Sequence, residues 1–151
     1  MNISRETILS ALFTLLSSVT FAATSDGFTS FQTTSRKLKL WSDVPQQPAL
    51  YMAEHAENLA YQSENLPSKT TIDVDVYVYF KPVATDDNPG SIDLNNILDG
   101  IDAALAPSIA TGKQTLGGLI SHCRIEGKVL KDPGDIDGQG LAVIPIKILV
   151  P

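Results

Sequence analysis

Two aspartates on one strand-like string are the first residues in this 151-residue chain whose type and spacing suggest chemistry. Asp73 and Asp75 stand in TTIDVDVYVYF, Thr70 to Phe80. On an extended backbone, residues two apart share a face and sit roughly 7 Å from one another. Such a carboxylate pair suits acid–base work of the kind glycosidases perform, provided the surroundings raise one of the two pKa values. No neighbour in the string does that, so a solvated strand face explains the pair more simply, with an assembly surface next. Tyr77 and Tyr79 continue the same side and make a polar-aromatic strip, fit to underlie a helix or to touch another chain.

Other strings resemble active sites and each fails on a requirement. TGKQT, Thr111 to Thr115, has the look of a phosphate loop, but Pro107 occupies the first glycine position and Gln114 follows the lysine where magnesium needs a hydroxyl. GDIDG, Gly134 to Gly138, has the look of a calcium loop, but Pro133 stands at the first ligand position and Ile144 at the closing one. His122 and Cys123 are adjacent, so in a strand they point to opposite faces and form no dyad. Cys123 is expected as a small core residue and His122 at the surface. His55 stands alone in a polar segment, and two distant histidines with one cysteine do not make a metal set. No catalytic residue, cofactor site or metal site is expected.

Composition narrows the class further. The net charge is -6 and the pI is near 4.7, with the 11 Lys and Arg scattered apart from Arg36, Lys37 and Lys39. No basic stripe is present to neutralise a phosphate backbone, so tight nucleic-acid binding is not expected. With 43% hydrophobic residues, the chain is long enough for one cored domain over 1–151. A single cysteine cannot form an internal disulfide, which leans mildly intracellular.

The elements that must position these residues follow from periodicity. Within Thr70 to Phe80, Ile72, Val74, Val76, Val78 and Phe80 alternate with the Asp and Tyr side, which predicts a strand. Leu94, Ile97, Leu98, Ile101 and Leu105 keep helical spacing, with Ser91 or Asp93 as N-cap and Pro107 as the stop. Phe28 to Trp41 reads as one or two short strands with Arg36, Lys37 and Lys39 facing water. Ala49 to Glu54 reads as another strand, and His55 to Ser68 as a loop or the turn of a hairpin. Leu119 to Val129 alternates again. Asp132 to Gly140 reads as a hairpin tip, and Leu141 to Val150 as an apolar strand whose Pro145 places it at an edge or a bulge. The pattern predicts an α+β fold, a mostly antiparallel or mixed sheet packed against an N-terminal helix and a second central helix.

The opening run ILSALFTLLSSVTFAAT, Ile8 to Thr24, has two readings. A secretory leader cut after Ala22 fits its short apolar stretch and small residues, although Glu6 offsets Arg5 and bulky Phe21 argues against a cut after Ala23. An amphipathic helix fits the polar stripe of Thr7, Ser10, Thr14 and Ser17 opposite Ile8, Leu9, Leu12, Phe13, Leu16 and Val19. The run is too short and interrupted for a membrane span.

Taken in order, the strings ALFTLL, TTSRKLKLWSDVPQQPALY, IDVDVYVYF, NNILDGIDAALAP, GKQTLGGLISHCRIEGKV and LAVIPIKILVP resemble the tail terminator, or tail completion, proteins of tailed bacteriophages. The similarity spans almost the whole chain, and SRKLKLW with SDVP, QTLGG and IPIKILVP are its most particular parts. The resemblance implies that Ile8 to Val19 is an internal helix. It also implies a virion protein that is not an enzyme: a homo-hexameric ring on the head-proximal end of the tail tube. Its partners would be further copies of itself, the tail tube protein and the head–tail connector or head-completion protein. Genomic DNA would pass through the ring without specific binding, and no membrane is involved. Acidic walls would suit such a conduit by repelling phosphates. The contact surfaces expected are the Asp73, Asp75, Tyr77, Tyr79 face and the loops Lys81 to Gly90, with Asp86 and Asp87, and Asp132 to Gly140, with Asp135 and Asp137. The alternatives are another neck or tail-completion protein, a secreted binding module with residues 1–22 as signal peptide, and a small hydrolase built on the acidic pair.

Overall fold

The computed structural model describes residues 3–66 and 68–151. Met1, Asn2 and Pro67, which belong to the expected domain, the leader alternative and the expected His55–Ser68 loop, lie outside the described residues. Among the described residues two helices, α1 (Arg5–Ser17) and α2 (Gly90–Ala104), accompany a six-stranded mixed sheet, so the α+β architecture stands. The strands are β1 (Thr33–Ser35), β2 (Ala49–Ala60), β3 (Lys69–Phe80), β4 (His122–Ile125), β5 (Leu130–Asp132) and β6 (Gly140–Val150). The spatial order is β1-β2-β3-β6-β4, with β5 also on β6. Among the described residues only β1 and β2 run parallel.

The run Ile8 to Val19 enters the core. Ser4 caps α1 by accepting from the Thr7 backbone N–H at 3.1 Å, and Ile8, Leu9, Leu12 and Leu16 then fall on one stripe and are buried. They meet Ile72, Val74, Val76, Val78 and Phe80 of β3 and Ile144, Ile146 and Ile148 of β6 in one cluster. α2 adds Leu94, Ile97 and Ile101 to the same cluster, so both helices cover the same face of the sheet. The Ser- and Thr-rich connection from Val19 to Gln32 folds as a small hairpin, closed by Phe21 N–H to Thr29 O and Thr24 N–H to Phe28 O, both at 2.9 Å. Phe21 and Phe31 stack edge to face with centroids 5.3 Å apart and close that end of the core.

Several local expectations change. α2 begins at Pro89 with no side-chain cap; Asp93 lies a turn further in, buried, and accepts from Ser25 N–H at 2.9 Å and Ser25 Oγ at 2.5 Å. The expected N-cap instead ties the 19–32 hairpin to the helix. β2 runs on to Ala60, past the expected end at Glu54, because its second half pairs with β3 from Ala56↔Asp73 to Ala60↔Lys69 although its side chains stay exposed. Between Glu54 and Ala56 the register shifts, which makes His55 a bulge residue. From Phe28 to Trp41 only Thr33–Ser35 is a strand, and Arg36 is half-buried between Glu6 and Glu54 rather than facing water. The Leu119–Val129 strand shrinks to β4, which ends short of Gly127, whose φ is +124°.

Pro145 sits in neither an edge nor a bulge. β3 pairs along the whole of β6, while the other side of β6 is shared between β5 at residues 141–143 and β4 at 146–149. Pro145 falls in the gap. Its carbonyl accepts from Glu126 N–H at 3.1 Å on that side, and a strand residue's N and O point the same way, so the absent N–H costs the β3 ladder nothing.

Candidate functional site

Three places stand out, and the expected residues fall in the first two. The first is the sheet face turned away from the helices. Asp73 and Asp75 sit there two strand positions apart, each beside a basic partner. His55 Nδ1 lies 2.7 Å from Asp75 Oδ2, made possible by the bulge that swings the imidazole over β3. Lys147, opposite Asp73 in the β3–β6 register, holds Nζ 3.8 Å from Asp73 Oδ1, an electrostatic contact beyond hydrogen-bond reach. The groove they line, with Glu126 and Pro145, has a volume of about 220 Å³ and carries no hydroxyl or thiol. The His55–Asp75 pair has no side-chain hydroxyl or thiol beside it in this groove, and each of the two aspartates is matched by a positive or ionisable neighbour.

Tyr77 lies half-buried on the same face, but Tyr79 leaves the strip. It is 6% exposed, packs with Ala49 and Tyr51, and donates its hydroxyl to Lys39 O at 2.7 Å. Its ring centroid is 5.6 Å from that of Tyr51. Trp41 and Val44, around a single 3₁₀ turn at Trp41–Asp43, fold over this end of the sheet and cover it, so Tyr79 is buried within its own chain instead of lying on the exposed strip. Burial pushes the phenol pKa of both Tyr51 and Tyr79 up.

The second place is the end of the molecule where α2 starts. Asp86 and Asp87 are the exposed centre of a tight turn in which Thr85 and Asn88 exchange backbone bonds at 3.0 and 3.1 Å. Three residues on, Gly90 N–H donates to Asp135 Oδ1 at 3.0 Å. A Cβ on Gly90 would stand 2.2 Å from Pro133 O, so only glycine lets the β5–β6 tip lie this close. Asp86, Asp87, Asp135 and Asp137 are thereby gathered at one end.

The third place is the QTLGG loop, which the sequence left without a role. Gln114 braces it: the amide Nε2 donates to Ala106 O at 3.3 Å, past the end of α2, and Oε1 accepts from Leu116 N–H at 3.1 Å. Gln114 N–H donates to His122 Nδ1 at 3.0 Å, so the His122 proton sits on Nε2. Leu116 is held at φ 50°, the left-handed region that a leucine enters only when its neighbours over-determine it. Together with Ala11, Thr14 and Leu15 of α1 and Ser18 at its C-cap, this loop walls a mainly apolar pocket of about 370 Å³. Cys123 lies beneath, fully buried, and burial pushes its thiol up to about 11.

Sequence reasoning set His55 aside as standing alone and passed over Lys147 and this pocket. The signal for Lys147 was present, since one lysine inside the apolar strand Leu141 to Val150 implies a carboxylate across from it. His55 depended on a bulge and the pocket on a helix meeting a loop a hundred residues away, and neither leaves a local trace. Among the described residues, no group of His, Cys, Asp and Glu is placed to hold a metal ion and no helix is long and apolar enough to cross a membrane. No family model matches the chain, and no curated protein matches it.

Proposed function

We propose that this chain is a virion structural protein of a tailed bacteriophage, a tail terminator. It assembles as a homo-hexameric ring on the head-proximal end of the tail tube, ends polymerisation of the tube protein and offers the joining surface to the head–tail connector or head-completion protein. The observation that carries this reading is the one-sided sheet. Both helices bury one face, and neither contributes to the opposite face, where Asp73, Asp75, Tyr77, Val143 and Leu149 lie half-buried with paired charges among them. A face of that composition, polar-aromatic with apolar strand residues, has the make-up of a protein contact.

The strings that carry the family resemblance support the reading by where they fall. SRKLKLW leads out of β1, SDVP forms the covering turn beside Tyr79, QTLGG is the braced loop and IPIKILVP is β6. They are joints of the fold. In a ring each subunit uses two different patches, and a rotation that closes leaves no free edge, so binding ends growth. With a net charge of -6 on each chain, the ring repels the DNA backbone and lets the genome pass without specific binding.

Adding the purified chain to polymerising tube protein tests this directly, with tube lengths read by electron microscopy. Capped tubes of shortened length, and density for this chain at the head-proximal tail end of virions, are expected. Unchanged tube growth, or a chain that begins near Ala23 when its amino terminus is sequenced from virions, overturns the reading.

A further inference from the structure

Two features at opposite ends of α2 match one another. At the helix's start, the β5–β6 tip presents Ile136, whose side chain is 102% exposed. The tip is stiff: Gly134 N–H donates to Asp132 Oδ1 at 3.0 Å, Gly138 N–H to Gly134 O at 2.9 Å and Gln139 N–H to Asp137 Oδ1 at 2.9 Å, while Asp135 holds Gly90. A bulky aliphatic group fixed in water on a rigid tip loses little conformational freedom when it docks. At the helix's other end lies the apolar pocket of about 370 Å³ between α1 and the QTLGG loop, large enough for an aliphatic side chain and part of its backbone. Fifteen residues of α2 separate the two, about 22 Å by helical rise.

The charges agree with the shapes. Asp135 and Asp137 flank Ile136, and Asp86 and Asp87 stand nearby, so the knob end is acidic. Along the whole stretch from Leu105 to Ser121, which forms the pocket end, the one charged residue is Lys113, beside Gln114 of the pocket wall. Ile109, 105% exposed on a turn closed by Ser108 N–H to Lys113 O at 3.0 Å, adds an apolar rim at that same end.

We infer that the occupant of the pocket is a second copy of this chain: Ile136 of one subunit seats between α1 and the QTLGG loop of the next, with Asp137 facing Lys113. A knob and a pocket on different surfaces make a head-to-tail contact, which propagates and closes into a ring when the rotation allows. This rests on the ring-forming reading above for its setting, and names the surfaces by which the copies meet.

Native mass spectrometry and sedimentation over a range of concentrations test it. Ile136→Asp is expected to weaken self-association at least about 30-fold, the loss typical of removing a central apolar anchor, with thermal stability unchanged because the side chain touches nothing in its own subunit. Asp137→Lys should weaken it as well, and adding Lys113→Glu should restore part of the loss. For a direct readout, Ile136→Cys combined with Thr14→Cys should give a covalent ladder beyond dimers under oxidation, whereas Ile136→Cys with Ser63→Cys, on the distant β2–β3 turn, should not. Assembly by Ile136→Asp as strong as the wild type, or equal ladders from the two cysteine pairs, overturns the inference and leaves the ring reading standing. Knob-dependent assembly with no effect on tube growth supports the contact and removes the terminator role instead. A wild-type chain that stays monomeric, together with no ladder from the Ile136→Cys, Thr14→Cys variant, also overturns the inference.

Discussion

Replacing Leu12 with alanine isolates the contribution of α1 to the fold. Leu12 is fully buried at the centre of the helix's apolar stripe, between Ile8 and Leu16, and its side chain belongs to the main core cluster. Truncation removes the transfer free energy of the lost groups and leaves a cavity that the flanking sheet fills only in part, for a cost of about 2–5 kcal/mol. For a chain of this length each kcal/mol lowers Tm by about 2–4 °C, which gives a fall of roughly 4–20 °C. Thr14→Ala, on the exposed side of the same helix, should stay within about 0.5 kcal/mol. Thermal unfolding followed by far-UV circular dichroism at pH 7 measures both. The same reasoning extends to a chain beginning at Ala23: four buried aliphatic side chains at about 2 kcal/mol each amount to most of an ordinary domain's stability, so it should not fold. A Leu12→Ala Tm within about 2 °C of the wild type, where at least about 4 °C is expected, would falsify the packing of α1 on the sheet.

Three other perturbations have defined outcomes. Between pH 9.0, where a free thiol ionises, and about 11, where buried Cys123 does, the unfolded chain sheds a proton that the native one keeps, so stability should fall with rising pH by up to about 2–3 kcal/mol; urea midpoints of wild type and Cys123→Ala compare the slopes, and equal slopes remove the explanation. At the acid end, the hydrogen bond from Arg5 lowers the Glu57 pKa and those from Arg36 and Ser10 lower that of Glu6, so their stabilisation is present above pH 4.5 and lost below it; Glu57→Gln should flatten the acid limb of a pH titration of Tm. A Cβ at residue 140 would stand 2.4 Å from the Phe80 ring, so Gly140→Ala should destabilise by about 1–3 kcal/mol, with Phe80→Leu recovering part of it in the double variant.

What the sequence revealed was whatever burial enforces residue by residue. β3 was readable because alternate side chains from Ile72 to Phe80 enter the core, and α2 because Leu94, Ile97 and Ile101 recur at helical spacing over the same sheet. The second half of β2 was unreadable, since Glu54 to Ala60 is held by its ladder to β3 and buries nothing, so no periodicity marks it. Pro145 misled for a related reason: the rule against proline in a central strand assumes a continuous neighbour on both sides, and here that neighbour is broken in two. Of the expected contact residues, Asp73, Asp75 and Tyr77 share the outer face and Asp86, Asp87, Asp135 and Asp137 share one end. Tyr79 alternates correctly yet is covered by Trp41 and Val44, a tertiary event that its own strand does not announce.

β1 pairs with only three residues of β2, Ala49 to Tyr51. Beyond them, among the described residues, β2 shows a bare row of amide and carbonyl groups to the solvent. Such a border invites lateral recruitment of any extended peptide. The kink at His55 twists it out of line, and the ion pairs Arg5–Glu57 and Arg36–Glu54 plant charge along it. A border guarded this way resists sideways growth by strand addition.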